Sequence, residues 1–203
     1  MAEWENDGPL HHIITQNVDR LHHRAGSQRV LELHGTVHEV ECLDCGYTES
    51  RMQTQERIES ANKDWIATYG KEATHRPDGD VEIPDEAYYS FSLPSCLHCG
   101  GEMLKPMVVF HGGSVSRNVN EKATELIKSC DAMLVLGSSL TVWSAFRLAR
   151  AVSEQQKPLA IINYGPTRAD SLEPVPIKIE GSCSAALISL SKIESTVACS
   201  DSI

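Results

Sequence analysis

Ile13 and Ile14 run directly into Thr15-Gln16-Asn17, the pattern of a short buried strand that ends in polar residues. Polar residues rich in histidine follow from 19 to 26. From about Glu41 to Gly101 the pattern changes. Two Cys-x-x-Cys pairs bound a stretch that reads as helix from Gln53 to Tyr69, then a turn-rich run, Arg76-Pro77-Asp78-Gly79-Asp80. This region reads as an inserted module. Beyond it the spacing turns helical: Ala123, Leu126, Ile127 and Cys130 stand at i, i+3, i+4 and i+7, with Asn118 or Asn120 as the expected cap. Residues 132–136 form an apolar run of strand length that leads into Gly137-Ser138-Ser139. Val142, Phe146, Ala149 and Val152 mark another helix, closed by Pro158, and residues 159–162 form a second buried strand entering Asn163-Tyr164-Gly165.

Strand, helix, strand, with both strands apolar throughout, predicts a βαβ unit of a parallel sheet covered on both faces. Three expected strands thus end in Gln-Asn, Gly-Ser-Ser and Asn-Tyr-Gly. Open parallel sheets bind ligands beyond the carboxyl ends of their strands. Residues 191–203 read as a frayed polar tail.

At 203 residues the chain suits one domain, alone or with a small inserted module. Apolar residues are 41% and charged residues 23%, the balance of a globular protein. No apolar run approaches the ~20 residues of a membrane-spanning helix, so a membrane partner is not expected. Lys and Arg total 18 against 28 Asp and Glu, a formal net charge of -10. That balance argues against nucleic acid as a partner, because phosphate-backbone binding needs clustered cations. It is compatible with basic, lysine-bearing partners, although simple acidic solubility is the commoner explanation. The first residues are acidic and resemble neither a secretory signal nor a transit peptide.

Four of the seven cysteines form the pairs Cys42-Leu-Asp-Cys45 and Cys96-Leu-His-Cys99. Two such turns present four thiolates to one ion, and four soft ligands with no open position favour structural Zn²⁺. Gly46 after the first pair, and Gly100 and Gly101 after the second, suit the tight turn of a metal knuckle. Cys130 reads as core packing, and His98 as a surface residue or a neighbour of the metal ligands. His34, in Leu33-His34-Gly35, reads alone as a structural histidine or a base; Gly137-Ser138-Ser139 alone reads as a turn, and Asn163 as a strand-end cap.

Taken together, Thr15-Gln-Asn-Val-Asp-Arg-Leu-His-His-Arg-Ala-Gly26, Leu33-His-Gly35, the two Cys pairs, Lys105-Pro106, Gly137-Ser-Ser-Leu140 and Asn163-x-Gly165 resemble, in order, the motifs of the sirtuin family. Arg76-Pro-Asp-Gly-Asp80 and Gly137-Ser-Ser-Leu-Thr-Val-Trp-Ser144 resemble its class II branch, which includes mitochondrial members. The resemblance implies an α/β fold: a Rossmann-type parallel sheet with an inserted small zinc-binding module. It places residues 1–40 and 104–203 in the Rossmann-type part and 41–103 in the module. The family's Gly-Ala-Gly-x-Ser segment normally precedes these motifs, so the sheet is expected to be incomplete at its N-terminus and the chain N-terminally truncated.

The activity implied is NAD-dependent removal of acyl groups from lysine, with transfer to ADP-ribose and release of nicotinamide. ADP-ribosyl transfer and lipoamide removal are related chemistries. His34 would be the general base, its ordinary pKa of ~6.5 suiting that task. Gln16, Asn17, Val18 and Asp19 would line the nicotinamide and ribose pocket. Gly137, Ser138 and Ser139 would meet ribose and phosphates, Asn163, Tyr164 and Gly165 the adenosine, and Cys183 the adenine. Val109, Phe110 and His111 would line the acyl-lysine groove, and the mitochondrial matrix is the implied location. Met107, His111 and Gly113 stand where the family has an aspartate, an aromatic and an acidic residue. The alternative is a non-catalytic, zinc-stabilised binding module. A dehydrogenase is disfavoured by the lack of Gly-x-Gly-x-x-Gly.

Overall fold

The computed structural model describes residues 1–70, 74–75 and 81–200. In chain order the elements are α1 (Ala2–Asp7), β1 (Ile13–Thr15), α2 (Leu21–Arg24), β2 (Val30–Glu32), β3 (Gly35–Cys42), β4 (Thr48–Ser50), α3 (Arg51–Ala61) and α4 (Lys63–Tyr69). There follow β5 (Thr74–His75), β6 (Val81–Glu82), α5 (Asp85–Ser90), β7 (Leu104–Val108), α6 (Arg117–Ser129) and β8 (Met133–Leu136). The chain closes with α7 (Trp143–Glu154), β9 (Leu159–Asn163), a 3-10 turn (Arg168–Ser171), β10 (Ile177–Glu180) and α8 (Cys183–Ser200).

Two compact units result, one of residues 1–16, 25–33 and 113–203, the other of 17–24 and 34–112. The first is parallel throughout. β1 pairs with β2, and β9 lies between β8 and β10, each pair in parallel register. β8, α7 and β9 are the expected βαβ unit, but cover on both faces holds only for β9, where Leu159, Ile161 and Ile162 are buried. β8 buries Val135 and leaves Leu134 39% exposed. Its core gathers Leu33, Ala123, Ile127, Val135, Phe146, Leu148, Val152 and Ile161, all at most 8% exposed, with Cys130 packed against it. The first turns of the chain are held by Glu5, a buried carboxylate that accepts hydrogen bonds from the Gln28 and Arg29 amides.

The second unit is antiparallel. β3 pairs with β4 on one side and β7 on the other. Because β3 and β7 pair as a ladder, residues 35–40 and 104–112 lie in the same compact unit as the cysteines, wider than the expected module of 41–103. The single helix read over 53–69 is two helices meeting at Asn62. The Asn62 amide there donates to the carbonyls of Ile58 and Ser92, and its Oδ1 accepts from the Ser92 N–H. A side chain that draws on nearby backbone groups in this way ends one helix and starts another. The turn-rich run 76–80 lies outside the described residues.

Two further expectations are corrected. The cap of α6 is Ser116, whose Oγ accepts from the Val119 N–H. Asn120 instead donates to the Val115 carbonyl and accepts from Arg147. The expected polar tail is helical backbone to Ser200, in a segment with neither glycine nor proline to break it.

Candidate functional site

In the first unit, the loop after β8 is turned by two left-handed residues, Gly137 at φ 60° and Leu140 at φ 54°. A non-glycine residue in that region costs about 1–2 kcal/mol and persists where its surroundings fix it. Leu140 is fixed by burial, its side chain 3% exposed in the core. Its N–H donates to Ser138 Oγ at 3.2 Å, and Gln16 Nε2 at the end of β1 donates to the same oxygen at 2.8 Å. Both lone pairs of the Ser138 hydroxyl are then engaged, so its hydrogen is left for an acceptor outside the loop. Ser139 Oγ lies 2.8 Å from Thr141 Oγ1.

At the end of β9, Asn163 Nδ2 donates to the Tyr164 carbonyl at 2.8 Å and, more weakly, to that of Gly165 at 3.5 Å. The side chain caps its own turn, as a strand-end residue would, and keeps its Oδ1 as an acceptor. Gly165, at φ 73°, donates its N–H to Glu180 Oε1 at the end of β10. Cys183, at the start of α8, donates its thiol to the Ile162 carbonyl, and a Cβ on Gly137 would stand 3.5 Å from its sulfur. Gln16, Gly137, Ser138, Ser139, Asn163, Tyr164, Gly165 and Cys183 thus all stand in the parallel unit, at or next to strand ends.

The remaining expected residues stand in the second unit. Asn17, Val18 and Asp19 precede α2, and the Asp19 carboxylate accepts the Leu21 N–H at its start. The Val18 carbonyl accepts from the Val37 N–H of β3. His34 is half-buried at the mouth of β3, and its carbonyl accepts the Val109 N–H at 2.9 Å. Gly35, at φ 79°, sits so close to β7 that a Cβ would stand 1.9 Å from the Met107 carbonyl oxygen. Lys105 Nζ donates to the Val108 carbonyl at 2.8 Å and lies 5.0 Å over the Phe110 ring, which is half exposed. His34 and the expected groove residues Val109, Phe110 and His111 therefore share one braced corner, with His111 exposed beside it.

The four cysteine sulfurs lie within 4.8 Å of one another, Cys42 opposite Cys99 and Cys45 opposite Cys96, each pair 3.7 Å apart. That donor set fits a tetrahedral Zn²⁺ with no position left for substrate. Backbone N–H groups of Cys99 and His98 lower the Cys96 thiol to about 6. Although the Tyr47 amide favours its thiolate, Cys45 is pushed up to about 12 by loss of water and by the neighbouring sulfurs. A dication among them would favour all four thiolates. Gly46 and Gly100 adopt φ of 72° and 74°, and a Cβ on Gly101 would stand 2.1 Å from Asp44 Oδ2. His98 stacks on Tyr47.

The Sir2 family pattern matches residues 1–144. The chain belongs to the Sir2 family. Bovine "NAD-dependent protein lipoamidase sirtuin-4, mitochondrial" is 44% identical to this sirtuin over 187 residues, covering 92% of this chain and 58% of that protein. "NAD-dependent protein deacetylase 2" of Bradyrhizobium diazoefficiens is 42% identical over 187 residues, covering 92% and 66%. The chain thus spans about three-fifths of the length of these curated relatives. A solved structure of Sir2Af2 bound to a myristoylated histone peptide aligns at TM-score 0.62 and 35% identity, covering 89% of this chain and 63% of that one. A Sir2 bound to acetylated peptide aligns at TM-score 0.68 and 28% identity, covering 89% and 62%. The fold is the Rossmann-type α/β of Sir2 enzymes, with a four-cysteine metal site.

Motif reading found the polar tips but missed some of what holds them. Glu180 and Arg168 bond to the tip loops, and neither belongs to a motif noted above. A usable signal was present for the latter: Thr167-Arg-Ala-Asp170 has capping-box spacing.

Proposed function

We propose that the protein is an NAD-dependent protein-lysine deacylase, and that NAD binds at the strand tips of the parallel unit. The observation that carries this is the pairing of chemistry at those tips. Ser138 offers a hydroxyl committed to donate, Asn163 an amide oxygen committed to accept. A dinucleotide presents both complements, phosphate oxygens and ribose hydroxyls.

In this reading Gln16, Gly137, Ser138 and Ser139 hold ribose and phosphate, Asn163, Tyr164 and Gly165 the adenosine, and Cys183 the adenine. Asn17, Val18 and Asp19 line the nicotinamide side, and Val109, Phe110 and His111 receive an acyl-lysine strand. When bound, NAD supplies an electrophilic ribose carbon with nicotinamide as leaving group. His34 takes a proton from a ribose hydroxyl as general base, which suits an imidazole near neutral pH. The four cysteines hold a structural zinc and take no part in proton transfer. The domain roles follow: the parallel unit carries the strand-tip residues, and the unit of 17–24 and 34–112 carries the metal.

Acyl-lysine substrates are supported by the peptides named in Sir2 structures, and lipoyl by the name of the sirtuin-4 relatives. The sirtuin-4 names also support a mitochondrial site of action, although bacterial relatives are similarly close. Among the described residues no helix is long and apolar enough to cross a membrane.

The test is nicotinamide release from NAD with acetyl-, lipoyl- and dicarboxyacyl-lysine peptides. We expect release with at least one peptide and a fall of about 10²–10⁴-fold in His34→Ala. Release that is indifferent to His34→Ala overturns its role; no release with any acyl-lysine peptide overturns the activity. The four-cysteine cluster is complete within one unit and favours one other reading, a zinc-braced binding module. That reading expects stoichiometric zinc and no NAD affinity.

A further inference from the structure

Arg168 opens the 3-10 turn that follows β9, and it reaches back to the loop after β8 at two points. Its backbone N–H donates to the Ser139 carbonyl at 2.8 Å, and its Nη1 donates to the Thr141 carbonyl at 3.1 Å. Between these points lies Leu140, the left-handed residue whose N–H braces Ser138. The guanidinium centre also lies 4.5 Å from the Phe146 ring and 5.3 Å from the Trp143 ring, both on the first turns of α7. One side chain therefore touches the loop and the helix that the loop feeds.

The turn that carries Arg168 is itself pinned. Thr167 and Asp170 cap each other, the Thr167 hydroxyl donating to Asp170 Oδ1 at 2.5 Å and the Thr167 N–H to Oδ2 at 3.0 Å. Lys178 of β10 donates to the same carboxylate at 2.5 Å. A planar peptide points its carbonyl and its N–H in opposite directions. The Arg168 backbone N–H, by holding the Ser139 carbonyl, thus sets the direction of the Leu140 N–H and through it the Ser138 hydroxyl. The side chain, by holding the Thr141 carbonyl, sets the Val142 N–H and so fixes the far end of the same loop.

We propose that Arg168 is a positioning residue: it clamps the loop 138–141 in the form that presents Ser138 and Ser139 to the dinucleotide. The cofactor half of this rests on the NAD reading above; the clamp itself does not. Arg168 is exposed, so its removal should leave the core intact, and the guanidinium fork with its ring stacking is not matched by a lysine.

The test compares Arg168→Ala and Arg168→Lys with the parent chain, all zinc-loaded, by amide hydrogen exchange of the segment 138–142 and by calorimetric titration with NAD. We expect exchange in that segment to quicken about fivefold in Arg168→Ala, and less in Arg168→Lys. The NAD Kd should weaken by about the same factor and in the same order, while zinc content and exchange in β3 and β7 stay unchanged. Unchanged exchange in 138–142 overturns the clamp, including the case of weaker NAD binding, which would make Arg168 a direct ligand contact. A parent chain that binds no NAD overturns the cofactor half, while quickened exchange still supports the clamp.

Discussion

At Gly35 two demands fall on one residue. The backbone is left-handed there, and any side chain would meet the Met107 carbonyl. The motif Leu-His-Gly was legible, but the reason for its glycine was not, because Met107 lies 72 positions further along the chain. Gly35→Ala should cost about 2–4 kcal/mol, the sum of a left-handed alanine and an overpacked contact. Denaturant titration of the zinc-loaded protein measures it, and a cost below about 0.5 kcal/mol would show that the β3–β7 corner yields freely. The same corner holds the Val109 N–H against the His34 carbonyl. The variant should therefore also impair the chemistry assigned to His34. Ser138 and Asn163 were legible as polar tips. Which of their atoms remained free for a ligand was not, since that depends on Gln16 and on turns that form only in the folded chain.

At the scale of elements, apolar patterning located β8, α7 and β9 closely, because both strands are continuous apolar runs and α7 turns an apolar face to the core. Caps were less legible: Ser116, Asn118 and Asn120 all carry suitable side chains, and only the path of the entering chain selects Ser116. The 3-10 turn at Arg168–Ser171 went unnoticed, although its capping box is written in Thr167 and Asp170. Lys178 beside Asp170, with the Thr167 donors, lowers that carboxyl to about 2. A carboxyl whose pKa falls on folding contributes stability above its unfolded value of ~3.9, and that contribution is lost as pH falls towards 2. The parent protein should therefore lose stability between about pH 4 and 2 more steeply than Asp170→Asn. Thermal melts across that window measure the difference, and parallel slopes would contradict the ion pair.

For the molecule as a whole, the spacing of the cysteines foretold a single cluster across a separation of 50 residues, and the four sulfurs do converge. The width of the unit that contains them was hidden, because it is set by a ladder between β3 and β7 rather than by composition. Removing the metal by chelation, or Cys42→Ser, should lower the melting temperature by about 10 °C, a loss of roughly 3–4 kcal/mol. Hydrogen exchange should place the loss in residues 34–112; a loss spread evenly over both units would contradict a local brace.

The most direct test of the account is calorimetric titration of the zinc-loaded chain with NAD, alongside Ser138→Ala and Asn163→Ala. The account predicts saturable binding of one NAD per chain, weakened about tenfold by either substitution. A chain that holds one zinc and gives no saturable heat with NAD would contradict it.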